Sequence, residues 1–147
     1  MVGMIRQSIR TLVDVLLTFF IYWVFGTGVH EMSHALTAQL LGWNATVVFK
    51  NPLEGYTAIL NWTMIPPMER VAIAVAGGLV TAILFVVLSY FVEDWECDLV
   101  LWFLAPLHGS YAIFEVAYVL GLLPAWILAT VPAIPALMLF VWKMNSR

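Results

Sequence analysis

The sequence predicts an all-α integral membrane protein of about four transmembrane helices, with a short membrane-associated β-hairpin between the first and second. Three observations lead there. Hydrophobic residues make up 63% of the 147 residues and charged residues only 10%, well above the ~45–50% apolar content of soluble domains. The charges gather in a few places: Arg6, Arg10 and Asp14 near the start, Glu93, Asp94, Glu96 and Asp98 together, and Lys143 and Arg147 at the end. The stretches between them are long, apolar and almost uncharged. A chain of this length has no interior large enough to hide so much apolar surface, so lipid is its solvent. One membrane-embedded domain, residues 1–147, is expected.

The first apolar segment covers residues about 11–41 and exceeds the ~20 residues that a span needs, so it extends past the hydrocarbon core or tilts. It is too long for a signal peptide and has no small-residue cleavage site before a polar region, so it reads as a retained anchor. The other segments cover residues about 67–92, 99–120 and 122–142. Trp43, Trp62, Trp95, Trp126 and Trp142 fall near segment ends, where interfacial tryptophans collect. Between the first two segments the texture changes. Thr46-Val47-Val48-Phe49 and Tyr56-Thr57-Ala58-Ile59-Leu60 are β-branched and aromatic, and Asn51, Pro52 and Gly55 supply turn chemistry. This predicts a hairpin over residues about 46–60, which needs support from the membrane or the helices because two strands alone are marginal. The acids from Glu93 to Asp98 read as a solvated turn.

Four spans place both termini on one side. Arg6, Arg10, Lys143 and Arg147, against Lys50 and Arg70, make that side cytoplasmic by the positive-inside rule. The net charge of −3 argues against a nucleic-acid partner, which calls for a basic patch. Cys97 is the sole cysteine, so no intrachain disulfide can form.

Chemistry concentrates in the first segment, at His30-Glu31-Met32-Ser33-His34. On a helix, positions i and i+4 share a face, so both imidazoles can address one cation while Glu31 reaches a water beside it as general base. Zinc suits this pattern, because two histidines and a third ligand leave a fourth position open. The bland alternative is that these residues satisfy a helix end near the interface. The third ligand has two candidates in the third segment, His108 and Glu115. They are seven residues apart, about 10 Å along a straight helix, too far for both to bind one ion. One is a ligand and the other a supporting partner or proton relay. A carboxylate in mid-segment is expensive without a partner. Thr27, Gly28, Ser33 and Thr37 would line an access path for water, and Gly77 and Gly78 would let a neighbouring helix approach closely.

Beyond this motif the chain resembles the site-2 protease family of intramembrane zinc metalloproteases. VHEMSHALTAQLLGW is similar to that family's HExGH helix, with Ser33 in place of Gly. The strand-like stretch after it resembles the family's membrane-associated β element, which holds substrates extended. Pro67-Met68-Glu69-Arg70-Val71-Ala72-Ile73-Ala74-Val75-Ala76-Gly77-Gly78-Leu79 resembles P-x-x-R-x-x-I-A-x-A-G-P-L, with Gly78 for Pro and Thr81 where Asn is common. Pro106-Leu107-His108-Gly109 resembles the motif that carries the family's third ligand, with His in place of Asp. The likeness covers roughly Thr11 to Leu120, and the fourth span looks added. It implies a zinc endopeptidase that cleaves transmembrane proteins, with Zn2+ on His30, His34 and His108 and with Glu31 as base. Glu115 is then the alternative ligand or stands behind the first three. It also implies the opposite orientation, with the motif end of the helix toward the cytosol. The missing aspartate motivates a second reading, a non-proteolytic zinc-binding relative that binds partner transmembrane helices. A metal transporter would string polar groups across the spans, whereas this chain has one cluster plus Glu115.

Overall fold

The computed structural model describes residues 2–145. Arg147 and the side chains of Arg6 and Arg10, part of the orientation argument, lie outside the described residues. Helix α1 spans Val2–Leu40, followed by strands β1 (Ala45–Asn51) and β2 (Glu54–Ile59) and a 3₁₀ turn at Trp62–Met64. Helices α2 (Pro67–Ser89), α3 (Trp95–Val119), α4 (Ala125–Thr130) and α5 (Ala133–Asn145) complete the order. Four helical stretches, Thr11–Leu40, Pro67–Ser89, Trp95–Val119 and Ala125–Asn145, are long and apolar enough to cross a membrane. The expected architecture is therefore present, with two corrections. The fourth segment is broken at Val131–Pro132 into α4 and α5, where proline removes a backbone donor. The acids near residue 95 are also not all turn. Asp94 caps α3 by accepting from the backbone N–H groups of Glu96 and Cys97, so Glu96 and Asp98 sit in the first helical turn, where negative charge meets the positive end of the helix.

Helix α3 is central: 44% of its most apolar stretch is buried, against 6% for α1. Phe85 of α2, Leu101 and Leu104 of α3 and Ala136 of α5 form one core cluster, with Phe19, Tyr22 and Trp23 of α1 packed on it. Gly78 brings α2 against α3, since a Cβ there would lie 2.5 Å from the Ala112 nitrogen and closer still to the His108 carbonyl. The exposed face of α1, including Leu12, Leu16, Phe20 and Phe25, is apolar, as suits a helix long and apolar enough to cross a membrane. Near the end of α5, Lys143 pairs with Asp98 at 3.2 Å and sits over the Trp102 ring.

The hairpin is antiparallel, with Ala45 opposite Ile59 and Phe49 opposite Gly55. Gly55 thus lies in β2 and not in the turn. The turn is closed instead by Asn51, whose Oδ1 accepts from the Leu53 N–H at 2.9 Å. Ala35, Ala38, Ala45, Ile65 and Ile73 bury the hairpin root against α1 and α2. From there the hairpin runs back along α1: Thr57 bonds Glu31, and the Trp23 indole donates to the Leu53 carbonyl at 3.3 Å. Trp23 precedes Leu40 by 17 residues, about 25 Å along the helix axis. The hairpin therefore runs back alongside α1 and carries the Lys50–Glu54 ion pair (2.6 Å) toward the level of Trp23.

Candidate metal centre

Helix α1 places His30 and His34 one turn apart on the face turned to α2 and α3, both buried. His34 Nδ1 lies 2.6 Å from the Ile73 carbonyl on α2. A carbonyl only accepts, so Nδ1 carries the proton and Nε2 presents a lone pair. His30 Nδ1 lies 3.3 Å from His108 Nδ1. His30 Nε2 also faces Glu115 Oε1 at 3.1 Å, so this ring either donates to that carboxylate from Nε2 or, with its proton on Nδ1 toward His108, presents a lone pair at Nε2. The two Nε2 atoms are 3.0 Å apart.

Glu115 completes this arrangement. Its Oε1 lies 3.1 Å from His30 Nε2 and its Oε2 lies 3.6 Å from His34 Nε2. Oε2 is buried without a hydrogen-bond partner among the described residues. With the His30 proton on Nδ1, three electron-pair donors converge, an arrangement that a positive charge between them would stabilise. One ligand atom from each of His30, His34 and Glu115 lies within 4.8 Å of the others, so the three are close enough to address one metal ion, and the two Nε2 atoms, 3.0 Å apart, are near the ~3.3 Å edge of a zinc tetrahedron.

The two candidates on α3 are thereby divided. Glu115 meets Nε2 of His30 and His108 meets Nδ1, one on each side of the same ring. Of the two, Glu115 and not His108 lies grouped with His30 and His34 closely enough for the three to hold a metal ion. The physical reason is the axial separation of the two residues, which leaves only Glu115 level with both Nε2 atoms. His108 is buried beside Phe85 and Tyr111 and supports His30 from behind.

Glu31 lies off the histidine face, as the ~100° step between adjacent helical residues requires. Its Oε2 accepts from the Thr57 hydroxyl at 2.9 Å, and its backbone carbonyl lies 2.8 Å from that hydroxyl. Gly55 allows this approach, since a Cβ there would lie 3.2 Å from Glu31 Cγ. A cavity of about 480 Å³ is lined by Glu31, His34 and Glu115 at one end and by β2, α2, α3 and α4 elsewhere. A second, of about 200 Å³, lies under the hairpin tip and includes Thr27, Glu54 and Tyr111. Ser33, expected on a water path, bonds the Val29 carbonyl of its own helix at 2.7 Å. Nothing lies within 4 Å of where Gly28 would carry a Cβ.

Sequence reasoning missed Thr57 and the Ile73 carbonyl. The alternation of β2 carried a signal for Thr57, because it puts Gly55, Thr57 and Ile59 on one face. A backbone carbonyl carries none. No protein-family model, curated protein or solved structure matches the chain.

Proposed function

We propose that the chain is a zinc-dependent intramembrane endopeptidase of the site-2 protease type, cleaving transmembrane proteins within or beside the bilayer. The observation that supports it best is the convergence of His30 Nε2, His34 Nε2 and the Glu115 carboxylate, at separations of 3.0–3.6 Å, next to Glu31. In this reading Glu115 supplies the carboxylate that Pro106-Leu107-His108-Gly109 lacks, giving the His₂Glu donor set that serves catalysis in other zinc peptidases. Zinc held by His30, His34 and Glu115 would supply Lewis-acid polarisation of a peptide carbonyl and of a water molecule. Glu31 removes the proton from that water and returns it to the leaving amine. His108 and the Ile73 carbonyl keep both imidazoles in the ligating tautomer. Strand β2 has no second strand neighbour among the described residues. Its open edge can pair with an unwound substrate segment, whose freed backbone groups lipid cannot satisfy.

The test is cleavage of model transmembrane substrates in proteoliposomes, read by mass spectrometry, with parent and Glu31→Gln compared at equal zinc content. Product from the parent and none from Glu31→Gln is expected. Equal cleavage by both refutes the assignment. Zinc binding with no cleavage by either points instead to a zinc-holding protein that binds partner helices.

A further inference from the structure

We infer that the cavity of about 480 Å³ beside the site is a specificity pocket for one bulky apolar side chain, Phe- or Leu-sized, flanking the bond to be cut. This rests on the peptidase reading and names the substrate class it would take.

Position comes first. Glu31, His34 and Glu115 line the cavity, and Tyr56, Thr57 and Ile59 contribute from β2. A strand paired with the open edge of β2 would pass the cavity mouth. Its side chains would alternate between faces, so one at the level of Glu31 would turn inward. A side chain placed there belongs to a residue next to the carbonyl that the metal-binding face addresses.

Chemistry comes second. Apart from Glu31, His34, Thr57 and Glu115 the lining is apolar or aromatic, with Ile59, Trp62, Ile73, Tyr118 and Leu128 its large members. A Glu side chain there would meet the like charges of Glu31 and Glu115, and a Lys lying among the apolar members would lose its hydration without a partner. Glycine or alanine would leave the wall without contact atoms and forfeit dispersion energy. The volume lies in the ~300–1,000 Å³ range of ligand clefts, enough for a large aliphatic or aromatic group together with the strand that carries it. Transmembrane segments are rich in such residues, so selection falls on which one lies opposite Glu31. Leu128 belongs to the short α4, made separate by the break at Val131–Pro132. The far wall is thus set by an element outside the part of the chain that resembles the protease family.

Hydroxamates ligate zinc directly, so they separate the pocket from the metal. The full-length zinc-loaded protein would be titrated calorimetrically in detergent with acetohydroxamate and with the N-acetyl hydroxamates of glycine, phenylalanine and lysine. Phenylalanine should bind about tenfold tighter than glycine, from burial of its ring, and lysine no tighter than glycine. Leu128→Trp should erase the phenylalanine preference at unchanged zinc content and unchanged glycine affinity. The pocket is refuted, with the metal site standing, if glycine and phenylalanine bind alike in the parent, or if the preference survives Leu128→Trp. If not even acetohydroxamate binds, the zinc reading falls, and the pocket with it.

Discussion

Gly77→Ala should weaken zinc binding at the candidate centre by displacing His34, with all three candidate ligands kept in the sequence. Gly77 lies on α2 one turn after Ile73, and the His34 ring lies over both. A Cβ at Gly77 would sit 2.5 Å from His34 Cε1 and 2.7 Å from Cδ2, with Nε2 nearer still, where ordinary contact begins at 3.4 Å. The ring must therefore withdraw by at least about 0.9 Å (3.4 less 2.5) for Cε1 to reach ordinary contact, and by more for Nε2. Metal–ligand distances tolerate shifts of only about 0.2 Å. The ring cannot slide along α2 instead, because its Nδ1 is held at 2.6 Å by the Ile73 carbonyl of the same helix. Losing either the position or that hydrogen bond should cost at least about 10–100-fold in zinc affinity, or about 1.4–2.7 kcal/mol. The assay is competition with a chromophoric chelator in detergent, with circular dichroism to follow folding. Gly28→Ala is the control: it lies in α1 near His30, yet nothing within 4 Å meets its Cβ, so it should bind zinc like the parent. Parent-like affinity in Gly77→Ala, or an equal loss in Gly28→Ala, refutes the placement of His34.

Other expectations follow from the hairpin and the cap of α3. Thr57→Val removes the hydroxyl that holds Glu31 Oε2 and should lower kcat by roughly tenfold, with KM and zinc content unchanged and activity restored by Thr57→Ser; an unaltered kcat would deny Thr57 its positioning role. A hairpin that runs back beside a spanning helix must face protein or water, so in a Cys97→Ser background Glu54→Cys should react with a small hydrophilic thiol reagent and Phe25→Cys, on the apolar face of α1, should not. Failure of Glu54→Cys to react would place the tip in lipid. The backbone N–H of Cys97 above all stabilises the Asp94 carboxylate and lowers its pKa, with smaller contributions from Glu96. A lowered folded-state value means that the cap stabilises fully above the unfolded pKa of about 3.9 and loses its effect as pH falls through the lower folded value. Thermal melts from about pH 5 to about pH 2 should therefore show the parent losing stability relative to Asp94→Asn, and parallel profiles would contradict the cap.

How much of this was legible in the sequence varies with the kind of residue. Spans are written in unbroken apolar composition, and α2 begins at Pro67 as expected because proline suits the first helical turn. The hairpin was legible because β-branched runs flank Asn51-Pro52. Its course back along α1 was not, since it is set by contacts from Trp23 and Glu31 across long stretches of chain. The break at Pro132 was overlooked because hydropathy runs through it unchanged. In the site, His30 and His34 were legible from helical spacing alone. The choice between His108 and Glu115 was not, because it depends on the axial offset between α1 and α3. That offset is a matter of tertiary packing between elements far apart in sequence, which helical spacing within one segment does not report.

The most direct test of the central claim is zinc per chain, by elemental analysis of the purified protein, for the parent, Glu115→Ala and His108→Ala. About one zinc in the parent, none in Glu115→Ala, and retained but weakened binding in His108→Ala is the expected result. Full retention in Glu115→Ala with loss in His108→Ala would return the third ligand to His108 and contradict the centre described.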